Sequence, residues 1–208
     1  MKTKGCFITG TDTGVGKTWV TTRWLRCLRE SGSDAVGMKP IECGGREDAI
    51  AIREACDGVA TLDEINPVSL PEPLAPAAII GSPRIDFYEI LASFDLLSML
   101  HFPVLVEGAG GWLVPLDRER TMADLALALR LPVVLVAANR LGVLNHTLLT
   151  VRAIVDAGLE CRAVFLNDLD GAARPDDPSR KSNARVLRDH LPGIAVIERD
   201  PVALLKLI

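Results

Sequence analysis

The stretch Gly10-Thr11-Asp12-Thr13-Gly14-Val15-Gly16-Lys17-Thr18 constrains this chain more than any other. The apolar run before it, Cys6 to Thr9, reads as a short strand, and Gly16-Lys17-Thr18 opens a helical segment that ends near Gly32. A Gly-rich turn between strand and helix frees backbone N–H groups that converge on phosphate oxygens. Lys17 adds a mobile positive charge, and the Thr18 hydroxyl suits Mg²⁺. The pattern is that of a phosphate-binding loop for a nucleoside triphosphate. It is a variant, because the usual first glycine position holds Thr11 and the glycine stands one residue earlier, at Gly10.

The rest of the chain supplies the setting such a loop needs. Strands are expected at 5–9, 35–39, 103–107, 132–138, 162–167 and 194–197, alternating with helices at 17–31, 47–56, 86–100, 121–130, 145–157 and 181–190. Pro103-Val104-Leu105-Val106 and Val133-Val134-Leu135-Val136-Ala137 are apolar on both faces, as strands of a covered parallel sheet must be. The expectation is a doubly wound, mainly parallel α/β sheet with helices on both faces, one domain over residues 1–208. A chain of 208 residues that is 49% hydrophobic can bury a core of that kind. Ligands then bind beyond the carboxyl ends of the strands.

Charge and cysteine usage narrow the partners. A net charge of −4 leaves no basic footprint for nucleic acid or an anionic membrane, so small-molecule substrates are expected. The five cysteines are scattered without metal-site spacing and read as reduced thiols in a cytoplasmic protein. No stretch approaches the roughly 20 apolar residues that span a bilayer. His101, His146 and His190 share no ligand spacing and receive no metal or catalytic role.

Polar residues at strand ends are the candidates for chemistry. Lys39 follows the second strand and precedes Pro40 and the loop Ile41-Glu42-Cys43-Gly44-Gly45-Arg46-Glu47-Asp48. It either faces the phosphate loop or is a solvated strand-end lysine, while Asp48 has the position of a helix cap. Glu107 follows the third apolar run and matches the second Mg²⁺-directed acid of such folds, with turn formation as its other use. The glycines after it allow close backbone approach to a phosphate. The proline-rich tract 66–76 is a lid, a binding loop or a linker. Leu141 to Thr147 opens a helix whose N–H groups suit a carboxylate, with Asn145 alternatively an N-cap. Asn167-Asp168 is a polar pair at a strand end where a base could be read, and 172–183 reads as a surface loop.

Five blocks, Gly10 to Thr18, Gly37-x-Lys39-Pro40-x-x-x-Gly44, Val106 to Trp112, Leu141-Gly142-x-x-Asn145-His146 and Asn167-Asp168, occur in the order found in dethiobiotin synthetases. The chain resembles that family over nearly its whole length. The resemblance implies the reaction of 7,8-diaminononanoate, CO₂ and ATP to dethiobiotin, ADP and phosphate, through a carbamate that ATP phosphorylates. It implies Mg²⁺ on Thr18, Asp48 and Glu107; Thr13, Lys39 and Cys43 at the diamine or carbamate; and Gly14, Val15, Gly16, Lys17 and Thr18 around the phosphates. Gly108, Ala109 and Gly110 join the nucleotide site, and Asn167, Asp168 and Pro201 lie at adenine. Lys39, Lys17 and Thr13 form the catalytic set, and Leu144 and Asn145 receive the substrate carboxylate from a neighbouring subunit of a homodimer.

The chain departs from the family at Cys43, where serine is common, and in the shortness of the segment Gly44 to Asp48. The competing reading is a P-loop ATPase switch of the partitioning or metal-insertion kind. Such switches carry an additional lysine near the start of the loop, where this chain has Gly10, Thr11 and Asp12.

Overall fold

The computed structural model describes residues 4–81, 84–168 and 177–208. Its centre is a six-stranded parallel sheet made of β1 (Gly5–Gly10), β2 (Val36–Met38), β5 (Val104–Gly111), β6 (Val133–Ala138), β7 (Cys161–Asn167) and β8 (Ala195–Glu198). The spatial order is β2-β5-β1-β6-β7-β8, and every pairing is parallel. The chain moves to one side of β1 for β2 and β5 and to the other for β6 to β8. That reversal puts a crevice at the carboxyl end of β1, where the phosphate loop begins.

Helices α1 (Lys17–Glu30), α2 (Glu47–Ala55), α4 (Phe87–Leu100), α5 (Met122–Leu129), α6 (Val143–Asp156) and α7 (Asn183–His190) connect the strands. β1 and β6 are buried along their whole length, which accounts for their uninterrupted apolar sequence. One hydrophobic cluster runs from Cys6 to Leu204, with Trp24, Phe7 and Phe165 among its largest fully buried side chains. The doubly wound α/β architecture is the one expected.

Four local features differ from the expectation. The loop after Pro40 contains β3 (Ile41–Cys43), which pairs in parallel with β4 (Val68–Leu70), and a short helix α3 (Leu62–Ile65) lies between them. Three-residue strands carry too little alternation to stand out from a loop, and β4 lies in the proline-rich tract. β5 runs on to Gly111 because its glycines keep pairing with β1, so Glu107 sits within the strand rather than at its end. Helix α6 starts at Val143, with Gly142 as its N-cap, so Asn145 is inside the helix and caps nothing. Of the tract 172–183, residues 172–176 fall outside the described residues; Pro178–Lys181 is a 3-10 turn and Asn183 begins α7.

Candidate functional site

The phosphate loop leaves β1 and enters α1 through Gly16, which is left-handed at φ 85° and caps α1 without any side-chain bond. The first N–H groups of α1 are therefore not engaged by a capping side chain and remain open to an anion. The displaced glycine has a packing reason. A Cβ on Gly10 would lie 2.7 Å from the Asp12 carbonyl oxygen and 3.2 Å from Lys17 Nζ. Lys17 is buried, and Nζ donates to the Asp12 carbonyl at 3.4 Å. Burial, helped by the nearby Lys39 charge, lowers its pKa to about 8.

Sheet register brings the next group in. Met38 pairs with Val106, so the residues that follow, Lys39 and Glu107, lie side by side. Lys39 Nζ donates to Glu107 Oε1 at 2.6 Å and to Asp48 Oδ2 at 2.7 Å. Lys39 is 3% exposed and Glu107 fully buried, so the bland alternative of a solvated strand-end lysine does not hold. Burial opposes the ammonium, but the carboxylates of Glu107 and Asp48 outweigh it and raise the Lys39 pKa above its ordinary value. Burial likewise opposes the Asp48 carboxylate, and the Lys39 charge holds it below the usual range. Glu107 is satisfied further by the α1 hydroxyls: Thr18 Oγ1 donates to Oε1 at 2.8 Å and Thr21 Oγ1 to Oε2 at 2.6 Å. A buried charge needs this full set of partners.

Glu107 and Asp48 thus hold one positive centre, the Lys39 ammonium, with the Thr18 hydroxyl bonded to Glu107 beside it. Among the described residues no group of three or more His, Cys, Asp or Glu gathers as for a metal. Two carboxylates and a hydroxyl make a hard, oxygen-only donor set that suits Mg²⁺, which completes its shell with waters and substrate phosphates.

The walls are built by segments that carry no motif. Asn66, 1% exposed, donates through Nδ2 to the Lys39 carbonyl at 2.8 Å and the Val68 carbonyl at 3.0 Å. Arg46 grips the same corner, bonding Asn66 Oδ1 at 2.9 Å, the Asn66 carbonyl at 2.8 Å and the Leu62 carbonyl at 2.9 Å. These contacts anchor the start of the tract 66–76, whose residues Pro73 to Pro76 reach the site. A cavity of about 560 Å³ results, bounded by the phosphate loop from Thr13 to Thr18, by Lys39 and Cys43, and by Pro73 to Pro76. The proline-rich tract is a wall of the site, not a linker. Ala109 and Gly110 also line it, whereas Gly108 packs close to Phe7 and Met122.

A second cluster occupies the ends of β6, β7 and β8. Asn167 Nδ2 donates to the Val15 carbonyl at 3.1 Å, tying β7 to the phosphate loop. Asp168 Oδ1 accepts from Asn139 Nδ2 at 2.9 Å and Arg180 Nε at 3.1 Å, and Oδ2 accepts from Arg199 Nε at 2.6 Å. Both its oxygens are engaged by protein groups, so Asp168 ties Asn139, Arg180 and Arg199 together at the strand ends. Pro201 is buried at the head of the 3-10 run Pro201–Leu207, which packs on α1. Leu144 and Asn145 lie in the first turn of α6 and are not among the residues around the cavity of their own chain.

Motif reading missed Thr21, Glu42, Asn66 and Asn139. Thr21 had a signal, three residues from Thr18 on the same helix face. Asn139 directly follows the buried β6, much as Asn167 ends β7. Asn66 and Glu42 act only through tertiary contacts.

A family model described as an AAA domain matches residues 4–200. The ATP-dependent dethiobiotin synthetase BioD of Akkermansia muciniphila is 46% identical over 164 residues, 78% of this chain and 77% of that one. Its counterpart from Anaeromyxobacter dehalogenans is 43% identical over 208 residues, 97% of this chain and 89% of that one. Among solved structures, the septum site-determining protein MinD of Pyrococcus horikoshii, complexed with Mg-ADP, superposes with a TM-score of 0.54 at 18% identity, covering 95% of this chain and 82% of that one. That likeness shows the shared fold, while the sequence matches separate this chain from the switch ATPases: it belongs to the ATP-dependent dethiobiotin synthetase family.

Proposed function

We propose that the cavity between the phosphate loop and Lys39 is the active site of a dethiobiotin synthetase, an ATP-dependent ligase of biotin biosynthesis. The observation that carries this reading is the buried Lys39 ammonium, bonded to both Glu107 and Asp48 beside Lys17 and Thr18. In the reaction, one amine of 7,8-diaminononanoate takes up CO₂ as a carbamate. A carbamate oxygen then accepts the γ-phosphoryl group of ATP. The second amine attacks the carbamate carbon, the C–O bond to phosphate breaks, and the cyclic urea and phosphate leave.

Lys17 and the N–H groups of residues 14 to 18 bind the phosphates. Lys39 stays protonated at neutral pH because two carboxylates hold its charge, so it serves as a fixed cation beside the carbamate and the transferring phosphoryl group, both anionic. Thr13 and the Cys43 thiol contact the diamine end. Thr18, Asp48 and Glu107 would hold Mg²⁺, sharing the two carboxylates with Lys39, and the bound ion would offset phosphate charge. Asn167 and Pro201 flank adenine, with Asp168 positioning the surrounding arginines. Leu144 and Asn145, in the first turn of α6, serve the neighbouring subunit's substrate carboxylate in a homodimer.

Phosphate release from Mg-ATP, measured with and without 7,8-diaminononanoate plus bicarbonate while the product is followed by mass, tests the reading. Release that requires the diamine and yields a cyclic urea is expected. Slow release indifferent to the diamine would move the chain to the switch class.

A further inference from the structure

We propose that Glu42 is a positioning residue for the reaction: its buried carboxylate fixes the first turn of α2 so that Asp48 meets Lys39. This rests on the roles given to Lys39 and Asp48 above. Helix α2 begins after Gly44 and Gly45, both with positive φ, and its N-cap Arg46 makes no side-chain capping bond. Among the described residues, none of the helix or of Gly44 to Arg46 serves the Asp48 and Ala49 N–H groups. Glu42 does so from β3, with Oε1 accepting from the Asp48 N–H at 2.8 Å and Oε2 from the Ala49 N–H at 2.9 Å. It is 6% exposed and faces the cavity.

Two bonds from one rigid strand set both the place and the direction of the helix start. Asp48 needs that support. Its side chain is 42% exposed, so packing does not hold it, and its 2.7 Å bond to Lys39 depends on where its own backbone sits. A carboxylate also matches the positive end of a helix dipole, whereas a glutamine in its place turns an NH₂ group toward an N–H donor. Because Asp48 closes one side of the Lys39 clamp, a shift of the α2 start is a shift of the reacting site.

The test is a double-mutant cycle with Glu42→Gln and Asp48→Asn, read as kcat and as KM for ATP, with melting temperature recorded for each variant. Glu42→Gln alone is expected to lower kcat about tenfold, the usual scale for a residue that orients a ligand group, with KM for ATP within twofold. In the Asp48→Asn background the same change is expected to lower kcat by less than about twofold, because the group it positions is already gone. A full-sized additional loss in that background, or no loss in either, overturns the proposal and leaves the site intact. An unchanged kcat for Asp48→Asn alone would instead remove Asp48 from the site, and the inference with it. If Glu42→Gln does not melt cooperatively, Glu42→Asp replaces it, since it keeps an anionic acceptor. Its kcat should fall about threefold with KM for ATP unchanged, and an unchanged kcat overturns the proposal.

Discussion

The two ends of the nucleotide crevice solve the same problem, holding charge at strand ends, in opposite ways. At the β2–β5 end the charges are sealed in: Glu107 is fully buried and Lys39 is 3% exposed. At the β6–β8 end Asp168 is 17% exposed and its partner Arg199 is 74% exposed. Breaking a buried pair costs about 3–5 kcal/mol because the remaining charge is stranded, while an exposed pair is worth about 0–1 kcal/mol. A fixed charge at the sealed end acts at low dielectric, whereas adjustment at the open end costs little.

The largest effect expected from that contrast is at Lys39. Lys39→Ala should lower kcat by about 10³-fold or more, the upper range for loss of a single preorganised charge partner. The dissociation constant for ATP should stay within about threefold. Calorimetry showing lost ATP binding in a folded variant would refute this division of roles. Next is Glu107→Gln, for which about a 10²-fold fall in kcat is expected, together with a changed Mg²⁺ titration. An unaltered Mg²⁺ dependence would take Glu107 out of the metal set.

Lys17 gives a pH signature. Its pKa in the free protein is lowered to about 8, so the charged form prevails below that pH and is lost above it. The value of kcat/KM for ATP should therefore fall as pH rises through about 8, and Lys17→Arg should remove that limb. The sign for stability is the reverse. Folding releases the Lys17 proton between about 8 and the ordinary 10.5, so this group's contribution favours the folded state as pH rises through that window. The smallest effect is at the open end: Asp168→Asn should raise KM for ATP about three- to tenfold, up to about 1.4 kcal/mol, with kcat within twofold. A kcat loss there equal to that at Glu107 would erase the distinction between the two ends.

The sealed end was the more legible of the two in the sequence. Gly16-Lys17-Thr18 and the apolar run before Glu107 are local patterns, each produced by backbone needs that a few adjacent residues express. That Lys39 faces the phosphate loop was one of two readings open in the sequence; its pairing with Glu107 was not, because it rests on β2 lying beside β5. Strand order was not legible, because β2 pairs with β5 across the whole segment 39–103, and no local signal records that pairing. The short β3 and β4 escaped for a related reason: each is held by the other, and by Asn66 and Arg46, rather than by its own residues. At the open end, Asn167-Asp168 was legible as a polar strand end. That Asp168 is occupied by Arg180 and Arg199 depends on residues brought from distant parts of the chain.

In the reaction proposed, the γ-phosphoryl group passes to a carbamate oxygen rather than to water. The direct measurement is mass spectrometry of the phosphate released in a brief reaction with ¹⁸O-labelled CO₂, unlabelled water, Mg-ATP and 7,8-diaminononanoate. If the clamp at Lys39 serves the carbamate, each phosphate released carries one oxygen atom from CO₂. Phosphate that takes its new oxygen from water, even in the presence of the diamine, would contradict the account and leave a nucleotide hydrolase in its place.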